Sequence, residues 1–176
     1  MKKANNIRFK ALIISVLAFA LILTGCSSDQ SGLTVDEPEI TIDYLKGEYA
    51  DQLMRDGAEY VFGTIDFEIA AGGEETDGDK IVIAAKEYVV DPNYPDGYYI
   101  ADRNKSYIAY MPAEARTTYM VEGSSSAVMM SPYDFLTAVR NDYAAHESDL
   151  LAFKESKLYH IYLMGDQILL IMAWDK

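Results

Sequence analysis

Apolar and polar residues alternate with different periods along this chain, and each period predicts an element. Ile42, Leu45, Tyr49 and Leu53 recur at helical spacing with Gly57 behind them, which predicts an amphipathic helix over about 42–56. Val61, Gly63, Ile65, Phe67 and Ile69 alternate with Phe62, Thr64, Asp66, Glu68 and Ala70, the period-2 signature of a strand with one face on a core. Its hairpin partner is 80–90, across a long polar loop, 71–79. Asp91 to Gly97 holds two prolines and an Asp-Gly pair, so it breaks the chain ahead of a short strand, 98–102. Arg103-Asn104-Lys105 reads as a turn into another strand, 106–111. The segment 117–122 is β-prone and is followed by Gly123 and three serines. Ser131-Pro132-Tyr133-Asp134 is a helix start, with Ser as N-cap, Pro at the first helical position and an acid at the third. That helix runs to about Tyr143 and buries Phe135, Leu136 and Val139. The stretch 144–156 fits either a second helix or an irregular connection. Two β-rich runs, 158–164 and 167–174, close the chain around Gly165-Asp166, a dipeptide suited to a two-residue type II′ turn. The last run is apolar on both faces and is therefore expected at the centre of a sheet.

This order predicts a mainly β domain with one or two helices. A helix placed before the last two strands is the order of an OB-like barrel, and an open α+β antiparallel sheet is the alternative.

The N-terminus has a different character. Lys2, Lys3, Arg8 and Lys10 precede Ala11–Leu23, an apolar run of 13 residues. A permanent span needs about 20, so the run reads as the core of an export signal. Leu23-Thr24-Gly25-Cys26 follows and contains the only Cys of the chain. It resembles the lipobox of bacterial lipoproteins. That resemblance implies that residues 1–25 are a cleaved signal peptide, that the Cys26 thiol carries diacylglycerol, and that the mature protein sits on the extracytoplasmic face of the cell membrane. Two acyl chains suffice for stable anchoring where one gives only marginal binding. Residues 26–40, the lipidated Cys and a polar stretch with Gly32 and Pro38, read as a flexible tether of about 20 Å reach. The globular domain is then 41–176.

Asp96-Gly97-Tyr98-Tyr99-Ile100, Ala113-Glu114-Ala115-Arg116, Ser131-Pro132-Tyr133-Asp134-Phe135-Leu136 and the Gly165-Asp166 hairpin are similar to the motifs of a small β-rich module of exported bacterial proteins. The resemblance implies the architecture and brings no activity with it.

Charge narrows the partners. The chain has 15 basic and 28 acidic residues; without the four basic residues of 1–25, 11 basic remain and the net charge is −17. Such a domain offers no phosphate-neutralising face, so nucleic acid is not an expected partner. The two histidines, His146 and His160, fall in no metal-ligand spacing and read as a surface and a half-buried strand residue. The acids Glu74, Glu75, Asp77 and Asp79 lack the spacing of a Ca²⁺ loop and read as a solvated hairpin tip. No metal or cofactor is expected, and no residue is singled out as catalytic.

The unusual feature is 14 tyrosines. Tyr joins an apolar face to a polar tip at low entropy cost, which suits sugar stacking and protein interfaces. Tyr94, Tyr98, Tyr99 and Tyr107, near expected loops and strand ends, are the candidate ligand-binding residues. The functional expectation is a lipid-anchored envelope module that binds protein or glycan without catalysis. Its alternative is a carboxylate-based envelope hydrolase.

Overall fold

The alternation at Val61, Gly63, Ile65 and Phe67 becomes strand β1 (Glu59–Phe67) in a computed structural model, which describes residues 39–67 and 80–175. These lie in one unit spanning Glu39–Lys176. Cys26, the tether up to Pro38 and the acidic loop 71–79 lie outside the described residues.

Beyond β1 the strands are β2 (Lys80–Val90), β3 (Tyr98–Tyr110), β4 (Arg116–Tyr119), β5 (Val128–Met130), β6 (Tyr159–Met164) and β7 (Gln167–Ala173). They form one seven-stranded sheet in the order β3-β2-β1-β6-β7-β4-β5, with an additional parallel contact between β3 and β7 at Tyr110 and Gln167. The domain is thus mainly β. Strand β7 lies inside the sheet, as its two apolar faces require. The β6–β7 hairpin turns in two residues, with Met164 paired to Gln167 and Gly165 at φ 63°. A positive φ at the first central position alone is the type II′ pattern.

Among the described residues three helical stretches accompany the sheet, one more than the upper expectation. The first is continuous: α1 (Ile42–Tyr44), a π-helical turn (Leu45–Tyr49) and α2 (Ala50–Arg55). The second, α3 (Pro132–Ala145), is capped by Ser131, whose hydroxyl accepts from the Asp134 N–H at 3.1 Å. The third, α4 (Leu150–Ser156), occupies the stretch that sequence left open. It forms because Phe153 can be buried against the sheet, a tertiary gain that short-range pattern does not register.

A second difference concerns Arg103-Asn104-Lys105. These residues do not reverse the chain, because β3 runs through them. Both halves of β3 pair with the long β2, and the register slips between Ala84 and Lys86, opposite Ser106 and Asp102. Asn104, at φ 50°, absorbs the irregularity as a bulge. Residues that favour turns here bend a strand instead of ending it.

Hydrophobic burial holds the two faces. Ile65, Ile81, Ile83, Ile161, Ile168 and Ile171 meet Phe135 and Val139 of α3 in the principal core. On the opposite face Leu45, Ala50 and Leu53 of the first helical stretch cover Leu170 and Met172. Each such side chain contributes roughly 1.5–3 kcal/mol when fully buried. The Tyr143 hydroxyl ties α3 to β1 by donating to the Ile65 carbonyl at 2.6 Å. Gly63 lets β1 and β2 approach: a Cβ there would lie 2.2 Å from the Ala84 carbonyl oxygen.

Candidate functional site

Strand alternation places Tyr60 and Phe62 on the face opposite Val61 and Ile65. In β6 the residues paired with them, Tyr162 and His160, fall on that same face. The first helical stretch covers this face over β7 and leaves the region over β1, β2 and β3 open. A cleft of about 780 Å³ lies there, lined by Tyr60, Phe62, His160, Tyr88, Tyr98 and Trp174, with Lys86, Glu87, Asp96, Arg103 and Asp175 supplying charge.

The aromatic rings brace one another. Tyr88 and Tyr98 stack with centroids 4.7 Å apart. Trp174 stands edge-on to Phe62, Tyr88 and Tyr98 at 5.6, 6.1 and 6.1 Å. Its backbone N–H donates to the Leu158 carbonyl at 2.8 Å, which fixes the ring just past the end of β7. Tyr60 packs against Tyr162 at 5.3 Å and against His160 at 5.9 Å. Edge-to-face and offset contacts of this kind contribute about 0.5–1.5 kcal/mol each beyond area burial. The cleft wall is therefore a preformed aromatic surface, which limits the ordering cost of binding a flat apolar face.

His160 Nδ1 lies 2.8 Å from the Tyr60 hydroxyl, within hydrogen-bond reach. Burial holds the His160 imidazolium below its ordinary range, with nearby Lys46 acting in the same direction and Asp175 against it. The ring is thus kept neutral, and in the Nε2–H tautomer its Nδ1 accepts from Tyr60. Burial also raises the Tyr60 phenol. Asp175 is held below the ordinary carboxylate range, chiefly by its 2.6 Å bond to Lys46. Lys86 bonds Asp102 at 2.6 Å.

A smaller recess of about 190 Å³ adjoins the cleft. Tyr60, Phe62, Lys86 and Arg103 line both. Its other side chains include Lys105, which bonds Glu59 at 3.0 Å, and Tyr107, whose hydroxyl donates to the same carboxylate.

Of the four tyrosines expected from sequence, Tyr98 lines the cleft and Tyr107 the recess. Tyr94 and Tyr99 stack on each other, centroids 4.7 Å apart, and line neither. Sequence reasoning passed over Tyr60, Phe62 and Trp174 as ligand-binding candidates and treated His160 as structural. The signal for Tyr60 and Phe62 was present in the alternation of β1, whose second face is aromatic where a solvated strand would be polar. Cys26 lies outside the described residues. Among the described residues no three His, Cys, Asp or Glu side chains gather as metal ligands would.

No protein-family model matches this chain, and neither the curated proteins nor the solved structures include a significant match to it.

Proposed function

We propose that this protein is a lipid-anchored, extracytoplasmic envelope module that binds a glycan in the aromatic cleft and does not transform it. The observation that carries the reading is the braced wall of Tyr88, Tyr98 and Trp174 along an open concavity. Sugar rings present flat C–H faces that stack on aromatic rings, and their hydroxyls pair with charged and amide groups at the rim. Glu87 and Asp96 are such acceptors. A protein partner would be favoured by a convex apolar surface, and the concavity weighs against it. The hydrolase alternative requires a carboxyl that keeps its proton near neutrality. Asp175 is displaced in the opposite direction by its bond to Lys46, so it is not that carboxyl.

The anchor rests on the lipobox resemblance at Leu23-Thr24-Gly25-Cys26. In Cys26→Ser the acyl acceptor is gone, so the variant should leave the membrane fraction or persist as an unprocessed precursor of lower mobility. A variant that is processed and membrane-bound like wild type would overturn the assignment.

We also propose that the sheet is an OB-type barrel. Support comes from the cyclic order β1-β2-β3-β7-β6, joined by the parallel β3–β7 contact, with α3 before the last two strands. The closing bond runs from the Tyr110 N–H to the Asp166 carbonyl at 2.8 Å. A closed barrel should protect that amide from hydrogen exchange nearly as well as those of β1, and rapid exchange there would argue for an open sheet.

Thermal unfolding against a panel of oligosaccharides tests the binding reading. A ligand at 100 times its Kd stabilises by about 2.7 kcal/mol, a shift of several degrees for a domain of this size. Stabilisation that is lost in Trp174→Ala supports the cleft; no shift with any glycan contradicts it.

A further inference from the structure

We propose that the occupant of the cleft is an acidic oligosaccharide whose anionic substituent sits on Arg103. This deepens the glycan reading and rests on it. The cleft has two chemically different ends. At the Tyr98 end are the stacked rings and Asp96, while Glu87, opposite Ala101 in β3, lies between the two ends beside Lys86. At the other, where cleft and recess meet, are Lys86, Arg103 and, in the recess alone, Lys105. A concentration of three cations is unusual in a chain with 28 acidic residues.

Two of the three are already engaged, Lys86 by Asp102 and Lys105 by Glu59. The Arg103 side chain makes no ion pair or hydrogen bond among the described residues. Arg103 lines both cavities, and its guanidinium is the one positive group there with its donors uncommitted. Planar N–H pairs of this kind match a carboxylate or a phosphate in a two-point bond. The neighbouring lysines do not compete for the anion's place, because each is already neutralised by its own carboxylate.

Asp96 at the other end sets the direction of binding: it accepts hydrogen bonds from sugar hydroxyls but repels an anion, so the charged substituent lies at the Arg103 end. From Tyr98 to Arg103 the strand advances five residues, about 17 Å at 3.3 Å per residue. That distance accommodates a short oligosaccharide, with neutral ring faces on Tyr88, Tyr98 and Trp174 and its charge at Arg103.

Isothermal titration with three trisaccharides tests the assignment: neutral galactotriose, the same trisaccharide with one terminal ring oxidised to a uronic acid, and galactotriose bearing one phosphate on a terminal ring. Wild-type protein should prefer one of the two anionic ligands to galactotriose by at least tenfold, and the preferred one identifies carboxylate or phosphate. Arg103→Gln should abolish the preference while leaving the weaker neutral binding, and Arg103→Lys should restore only part of it, because charge without the planar fork gives a single-point bond. Arg103 is exposed, so both variants should melt as wild type does. Equal affinity for neutral and anionic trisaccharides, or a preference that survives Arg103→Gln, overturns the Arg103 assignment and leaves the glycan reading intact. Binding of none of the three, or binding unchanged in Trp174→Ala, overturns the glycan reading and this inference with it.

Discussion

Replacing Gly63 by Ala adds one methyl group where β1 and β2 come closest. The new Cβ would stand 2.2 Å from the Ala84 carbonyl oxygen, 3.0 Å from its carbon and 3.2 Å from the Ala85 Cα. All three are backbone atoms, so no side chain can rotate away and the strands themselves must part. Gly63 pairs with Ala85 on one side and Tyr159 on the other, and the β2 register slips immediately beyond, between Ala84 and Lys86. Overpacking of this kind costs about 1–3 kcal/mol, and more where the backbone must move. We therefore expect a loss of at least about 2 kcal/mol, read as a melting temperature lower by about 5–10 °C for a domain of this length. Gly47→Ala is the control. It lies in the first helical stretch with nothing within 4 Å of the added Cβ. Relief of glycine's unfolded-state entropy should stabilise there by about 0.4–1 kcal/mol. Differential scanning calorimetry of the two variants gives shifts of opposite sign. A Gly63→Ala protein that melts at or above the wild-type temperature would refute the close approach of β1 and β2.

Other consequences follow from the caps and the histidines. Ser131→Ala removes the hydroxyl that accepts from Asp134 N–H and should cost about 1 kcal/mol in chemical denaturation. The two histidines should titrate by NMR on opposite sides of the ordinary 6.5, His160 below it because of burial, and His146 above it because the bonds from Glu122 and Asp149 outweigh desolvation. The signs for stability differ accordingly. The His160 contribution is complete above the unfolded-state value and falls as pH drops through about 6.5 toward its folded value; that of His146 is complete below about 6.5 and is lost as pH rises through its folded value. His160→Gln should flatten the acid-side decline, and an unchanged pH–stability profile in that variant would contradict the burial of the ring.

How much of this was legible in the sequence depends on the range of the interaction concerned. Strand β2 has the bounds that its pattern implies, Lys80–Val90, because alternation and flanking loops are local. The Ser131 cap and the Gly165 turn are likewise written in adjacent residues. Arg103-Asn104-Lys105 reads as a turn from its own residues, whereas the deciding factor is β2, which is long enough to pair on both sides of it. Helix α4 depends on a place for Phe153 in the core. The cleft draws Tyr60 and Phe62 from β1, Tyr88 from β2, Tyr98 from β3, His160 from β6 and Trp174 from the end of β7. Its assembly is set by register, such as Phe62 opposite His160 across about a hundred residues. Counting tyrosines near loops reached one of these positions, Tyr98. The pairing that joins it to Trp174 is a property of the fold.

The most direct test of the central claim is titration of the domain 41–176 with a panel of oligosaccharides, followed by intrinsic Trp fluorescence. The chain has a single Trp, Trp174, and its ring stands at the cleft wall against Phe62, Tyr88 and Tyr98. A glycan that occupies the cleft should change that emission saturably, with the same Kd by calorimetry, and Tyr98→Ala should weaken it at least tenfold while the domain stays folded. Saturable glycan binding that leaves Trp174 emission and the Tyr98 variant unaffected, or no binding by any member of the panel, would contradict the account.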